Sequence, residues 1–202
     1  MHPFDHILDT WETERLKTLA LWSQIPDHDL DHRPEPRART PREHMIHQCQ
    51  SEDGWLKGML GIDVGLPVLP DSTERRPFLE HYALASERRL TALRARGPSW
   101  FLEEVDFFEA RRTRAWVLVR RLTHNAHHRG QLQALLRQRG EALYSTYGPT
   151  ADTGGLPRSG AGVVYRYADV EALLADRDGE QRPPLPGPGP EPVTERGEPL
   201  RP

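Results

Sequence analysis

Ten histidines occur in this 202-residue chain, and their spacing carries more information than their number. Residues 124–131 read His-Asn-Ala-His-His-Arg-Gly-Gln. On a helix, His124 and His128 are separated by ~40° of rotation and ~6 Å of rise, so the two imidazoles share one face. Rings so placed can ligate a single metal ion at ~2.0–2.1 Å. His127 lies ~60° to the other side of His124 and aligns less well with the pair. A second pair, His44 and His47, opens another helical segment. Metal sites in helical bundles are assembled from facing helices. One histidine of this second pair would complete a three-imidazole set and leave positions open for water or substrate, as a catalytic metal requires. Spacing alone does not choose between His44 and His47. Without thiolate ligands, an imidazole set suits Zn, Ni, Fe or Cu.

These residues need rigid elements to hold them, and the start and stop signals supply four long helices. Phe4, Ile7, Leu8, Trp11, Leu19 and Trp22 keep one face apolar from Pro3 to about Gln24, and Pro26 ends that segment. Thr40-Pro41-Arg42-Glu43 sets a capping hydroxyl, a proline at the first helical position and a Glu three residues after the cap, predicting a helix from Pro41 to about Leu60. Ser72 or Thr73 is the expected cap of a third helix, which Gly97-Pro98 stops. The Trp100–Arg112 stretch is ambiguous, with Phe107-Phe108 expected to dock it onto the body. Thr113 caps a last long helix, Arg114 to Arg139, with Val117, Leu118, Leu122, Leu132 and Leu135 as its apolar stripe. That stripe runs close to His124 and His128, so they should point into the bundle. Val163–Tyr167 reads as a short extended segment, and Asp169 as the cap of a short helix through Val170–Ala175. The fold class is all-α, a four-helix bundle with an irregular C-terminal segment. One domain spans residues 1–178, and a disordered Pro-rich tail spans 179–202.

Composition excludes several function classes. The formal net charge is −3, so no large cationic field favours nucleic acid. The longest apolar run, Ala115–Val119, falls far short of the ~20 residues a membrane span needs. The N-terminus lacks the basic start and apolar stretch of a signal peptide, and the expected location is the cytoplasm. Cys49 is the lone cysteine, which excludes an intrachain disulfide and a Cys-rich metal site. It lies ~200° around the helix from His47 and reads as a buried small hydrophobe.

Thr-Pro-Arg-Glu-His-Met-Ile-His-Gln-Cys-Gln-Ser-Glu-Asp (residues 40–53) and His-Asn-Ala-His-His-Arg-Gly-Gln-Leu (residues 124–132) resemble the DinB/YfiT-like superfamily. The stretch from Trp116 to Leu122 fits as well, and the resemblance covers roughly residues 3 to 170. Its most specific part is His-x-x-x-His-Arg-Gly-Gln together with an upstream His followed five residues later by Glu, here His47 and Glu52. Asn125 departs from the pattern, being polar where a small or apolar residue is expected. The resemblance implies a four-helix bundle with a three-His metal site at one end, here His47, His124 and His128, and a homodimer. The implied activity is that of a metal-dependent enzyme. One divalent ion, with Zn, Ni or Fe foremost, would activate water or a low-molecular-weight thiol toward a small-molecule substrate. That covers hydrolysis and thiol transfer or isomerisation. The alternative is a non-catalytic metal- or small-ligand-binding protein of stress response.

Further candidates surround this set. Glu52, Asp152 and a spare histidine (His44 or His127) are the available general bases, and Glu52 or Gln131 can orient a liganding imidazole. The loop from Tyr144 to Gly155 is either a wall of the substrate pocket or a strap across the bundle. Arg111, Arg112, Arg114, Arg120 and Arg121 read as a solvated basic face paired with Glu103, Glu104 and Asp106.

Overall fold

The computed structural model describes residues 3–189. Four long helices form the body: α1 (Asp5–Trp22), α2 (Pro41–Asp53), α3 (Arg75–Arg94) and α5 (Arg114–Gln138). A short α4 (Pro98–Leu102) and a hairpin of β1 (Glu104–Phe107) and β2 (Ala110–Thr113) sit between α3 and α5, and α6 (Val170–Ala175) lies near the end. Helix α1 packs on α3 and α5, and α2 packs on α5 and α3, which closes a four-helix bundle. No helix of the described residues is long and apolar enough to cross a membrane.

Local chemistry explains most boundaries. The Thr40 hydroxyl accepts from the Glu43 N–H at 3.2 Å while the Glu43 carboxylate accepts from the Thr40 N–H at 2.9 Å, a complete capping box. Thr113 caps α5 through the Trp116 N–H, and Asp169 caps α6 through the Ala172 N–H. The third helix departs from expectation. Its N-cap is Glu74, which makes no side-chain cap bond, and Ser72 instead accepts from the Glu74 N–H at 3.3 Å in the preceding turn. The second helix continues past Asp53 as a π-helical turn, Gly54–Met59. Extra residues in such a turn re-aim side chains, and π turns recur at functional sites.

The ambiguous stretch resolves into the hairpin. Phe107 pairs with Ala110, leaving Phe108 and Glu109 as a two-residue turn. Phe108 has a φ of 53°, the left-handed conformation usually given to glycine or asparagine. Phe107 docks closely, packing edge-on against Trp55 and Trp116 at 5.1 Å each, whereas Phe108 is 72% exposed and meets Trp55 edge-on only at 6.5 Å.

Beyond α5, Val163–Tyr167 forms no strand and is tied instead to Ser145, whose N–H donates to the Val164 carbonyl at 2.9 Å. Part of the segment assigned to the tail runs back along the body. The Tyr144 hydroxyl donates to the Pro183 carbonyl at 2.8 Å, and Gly187 exchanges backbone hydrogen bonds with Asp152 and Gly154. The rest of the tail, residues 190–202, lies outside the described residues.

The core is divided in two. One apolar cluster gathers Trp22, Met45, Cys49, Phe78, Tyr82, Leu132 and Leu136, and the other gathers Trp11, Trp55, Leu56, Leu90, Leu93, Val117 and Leu118. Each helix contributes buried polar residues where the two clusters meet: Glu14 and Thr18, Gln48 and Glu52, Ser86 and Arg89, Arg121, Asn125 and Arg129. Ion pairs satisfy the charges of this waist. Arg129 pairs with Glu14, and both Arg89 and Arg121 pair with Glu52. The histidine cluster stands against this waist.

Candidate metal centre

His47 projects from α2, and His124 and His128 project one turn apart from α5. Their Nε2 atoms converge. His124 lies 3.4 Å from His47 and 3.2 Å from His128, and all three ligand atoms fall within 4.8 Å of one another. Three nitrogens bound tetrahedrally at ~2.0–2.1 Å would stand about 3.3 Å apart, so the donor set fits one divalent ion of zinc-like size. His47 and His124 are half-buried and His128 is buried, so the cluster is open on one side. His44 does not join the three nitrogens. It is buried, its ring stands edge-on to His128 at 5.3 Å, and its Nδ1 has no partner among the described residues. His127 is exposed and stands edge-on to His128 at 5.1 Å.

The electrostatics keep these rings neutral, the form that ligates metal. Desolvation, then Arg121 and the neighbouring imidazoles, lower His124 to about 3. Desolvation followed by His47 and His44 lowers His128 to about 4. Desolvation and Arg39 lower His44 to about 4, and the same two causes with Arg121 lower His47.

Two residues orient the rings. The Gln131 side-chain oxygen lies 3.0 Å from His128 Nδ1, which donates to it and leaves the Nε2 lone pair facing the cluster. Arg121 stands 2.7 Å from His124 Nδ1. A guanidinium only donates, so Nδ1 accepts and the neutral ring carries its hydrogen on Nε2. That hydrogen must leave Nε2 when His124 takes up a metal.

Arg121 corrects the expectation of a solvated basic face. Arg111 and Arg114 do pair with Glu104, Asp106 and Glu103, but Arg121 is completely buried. It also donates to the Gln48 carbonyl at 2.9 Å and to the Glu52 carboxylate at 3.2 Å. Glu52 in turn accepts from Arg89 at 3.0 Å and from the Tyr82 hydroxyl at 2.9 Å. Burial alone would raise its pKa, but Arg121 and Arg89 outweigh it and hold the carboxyl below the usual range. Glu52 is therefore a fixed anion behind His124, reaching it through Arg121. Asp152 is held by Arg137 and the Leu143 N–H, and Arg137 stands nine residues beyond His128, about 13 Å along the helix. Asp152 thus stands away from the cluster, whereas the same loop also reaches α5 nearer to it, Tyr147 accepting from Arg129 and Thr146 from Gln133.

Trp55 was not anticipated. The π turn sets its ring 5.4 Å from His124 and 5.9 Å from the Arg121 guanidinium, covering the α5 side of the cluster. Cys49 is buried, and its thiol is pushed up to about 12 by desolvation, then by Glu52. It plays no part in the cluster.

Residues 1–155 match the model of the DinB family. The chain belongs to the DinB family. An uncharacterised Bacillus subtilis protein, YrdA, is 25% identical over 151 residues, covering 73% of this chain and 90% of its own length. A DinB-like protein from Bacillus cereus has a TM-score of 0.64 at 22% identity, covering 71% of this chain and 97% of its own. A DinB-like protein from Bacillus subtilis, YjoA, has a TM-score of 0.54 at 15% identity, covering 68% of this chain and 94% of its own. The all-α bundle read from the sequence is thus the DinB-like fold. The DinB match contains every member of the histidine cluster and ends before Val163–Tyr167 and α6.

Proposed function

We propose that this DinB family chain is a metal-dependent enzyme in which His47, His124 and His128 hold one divalent ion, with Zn, Ni or Fe foremost. The carrying observation is the convergence of three Nε2 atoms at separations that fit a single ion. When bound, the ion would serve as a Lewis acid that lowers the pKa of a water or thiol. The chain's own residues do the rest. Gln131 fixes the His128 tautomer, Trp55 shields one side of the cluster, and the open side admits a small-molecule substrate.

Hydrolysis by a metal-activated water and transfer or isomerisation with a metal-bound low-molecular-weight thiol both fit this centre. The two carboxylates named as general bases are engaged elsewhere, Glu52 by two arginines and a tyrosine, Asp152 by Arg137. That leaves His44, buried beside His128 with an Nδ1 unpartnered among the described residues, as a base next to the cluster. The engagement of both carboxylates supports the second reading, a non-catalytic metal- or small-ligand-binding protein of stress response. A cytoplasmic homodimer belongs to both readings.

The test uses cobalt-substituted protein titrated with small thiols, followed by a screen of thiol-conjugation and ester substrates. Thiolate binding appears as a charge-transfer band, and turnover that is lost in His128→Ala supports the enzyme. A thiol band without turnover across the panel supports the binding protein. Neither band nor turnover sinks the thiol reading.

A further inference from the structure

Five arginines are buried among the described residues: Arg15, Arg89, Arg121, Arg129 and Arg166. Four of them meet carboxylates. Arg15 pairs with Glu87, Arg89 with Glu52 and Asp53, Arg121 with Glu52, and Arg129 with Glu14. Arg166 is 5% exposed and forms no ion pair among the described residues. Its guanidinium donates to the Ser23 carbonyl at 3.2 Å and lies 5.3 and 5.5 Å from the ring centroids of Tyr144 and Tyr167. Its Nε has no partner among the described residues, a feature it shares with three of the other buried arginines, so the missing carboxylate sets it apart. The nearby Asp176 carboxylate is taken up by the Tyr167 hydroxyl and the Glu180 N–H, each at 2.8 Å. Burial lowers the Arg166 pKa, and Arg182 adds to the effect. A buried cation left without an anion is costly, and proteins seldom retain one without use.

Arg166 lines a cavity of about 320 Å³, the size of a small ligand pocket. Leu16, Ala20 and Leu21 of α1 form one wall, and Tyr144, Tyr165 and Tyr167 form the other. No carboxylate among the described residues lines it, and Arg166 also borders a neighbouring cavity whose lining includes Glu141, Asp176 and Asp178. The second cation of the α1-walled cavity, Lys17, is already bound by Glu14 at 2.8 Å and sits over the Tyr147 ring. The cavity therefore combines an apolar, aromatic body with one positive charge that forms no ion pair among the described residues.

We infer that this cavity binds a small carboxylate with an aromatic or acyl body, whose carboxylate pairs with Arg166. The aromatic walls would hold the body, and the guanidinium fork would receive the two oxygens. The site shares no residue with the histidine cluster and does not depend on the metal.

The test is calorimetric titration of the full chain with 3-phenylpropionate, with its amide as the uncharged match and with acetate as a carboxylate lacking the body. The acid should saturate one site, and the amide and acetate should bind at least about tenfold more weakly. Arg166→Gln should lose the acid while melting within about 3 °C of wild type, because no carboxylate is orphaned by the change. Ala20→Trp, which fills the wall and leaves the guanidinium in place, should lose binding as well. No saturable binding of the acid by wild-type protein, or equal binding of the amide, overturns the inference. So does acid binding that survives Ala20→Trp. If Arg166→Gln unfolds, the wild-type comparison and Ala20→Trp decide.

Discussion

Replacing Glu52 with Gln removes one negative charge and almost no volume, yet it should be among the most damaging single changes in this chain. Glu52 is completely buried and accepts from Arg89, Arg121 and the Tyr82 hydroxyl at 3.0, 3.2 and 2.9 Å. An amide has one acceptor oxygen, so its NH₂ must face a guanidinium donor or the tyrosine hydroxyl. Arg121 is left with no carboxylate, and Arg89 keeps only Asp53 at 3.0 Å. Breaking a buried pair in this way costs about 3–5 kcal/mol. That is a large part of a typical stability of ~5–15 kcal/mol, and it corresponds to a fall in Tm of about 10 °C for a chain of this size. The pH dependence has a definite sign. The folded carboxyl is held below its ordinary value, so its contribution is complete above about pH 4.5 and is lost as the pH falls through the folded pKa. Thermal and urea melts of wild type and Glu52→Gln should therefore differ most near neutrality and converge in acid. Metal affinity should also fall, because Arg121 loses its counter-anion and leaves an uncompensated positive charge beside His124. A loss of under about 1 kcal/mol at neutral pH, with metal affinity unchanged, would refute the account. Glu52 would then be an accessible group rather than the anion of a buried network.

Other consequences are open to measurement. Gln131→Leu removes the partner of His128 Nδ1 and should weaken metal binding by about 10- to 100-fold, read by competition with a chromophoric chelator, while the melting temperature changes little. The metal-free protein should lose stability as pH falls from about 6.5 toward 4, because the unfolded chain takes up protons that His44, His124 and His128 refuse when folded. Urea melts across that range read the slope, and a flat profile would contradict the burial of these rings. Phe108→Gly relieves a left-handed residue in the hairpin turn and should raise stability by up to ~1 kcal/mol, with a decrease showing that the Phe108 ring contributes more than its backbone costs.

What the sequence made legible was local. The capping box at Thr40, the caps at Thr113 and Asp169, and the i, i+4 histidines each lie within a few residues, where helix geometry fixes the outcome. What it hid depends on contacts far apart along the chain. Arg121 sits among arginines that do face solvent, and only its pairing with Glu52, 69 residues away, makes it an interior residue. Glu52 looked like a free carboxylate for the same reason. The hairpin escaped notice because its turn is Phe108-Glu109, without the Gly, Asn or Asp that usually marks one. The π turn has no sequence signature of its own, so the position of Trp55 over His124 could not be read in advance.

The central claim rests on three nitrogens from two helices. The most direct measurement is elemental analysis of untagged protein, as purified and after reconstitution with zinc, for wild type, His47→Ala, His124→Ala, His128→Ala and His44→Ala. The account predicts about one ion per chain in wild type and in His44→Ala, and little or none in the other three variants. No ion in wild type even after reconstitution, or an ion retained by His47→Ala and lost by His44→Ala, would contradict it.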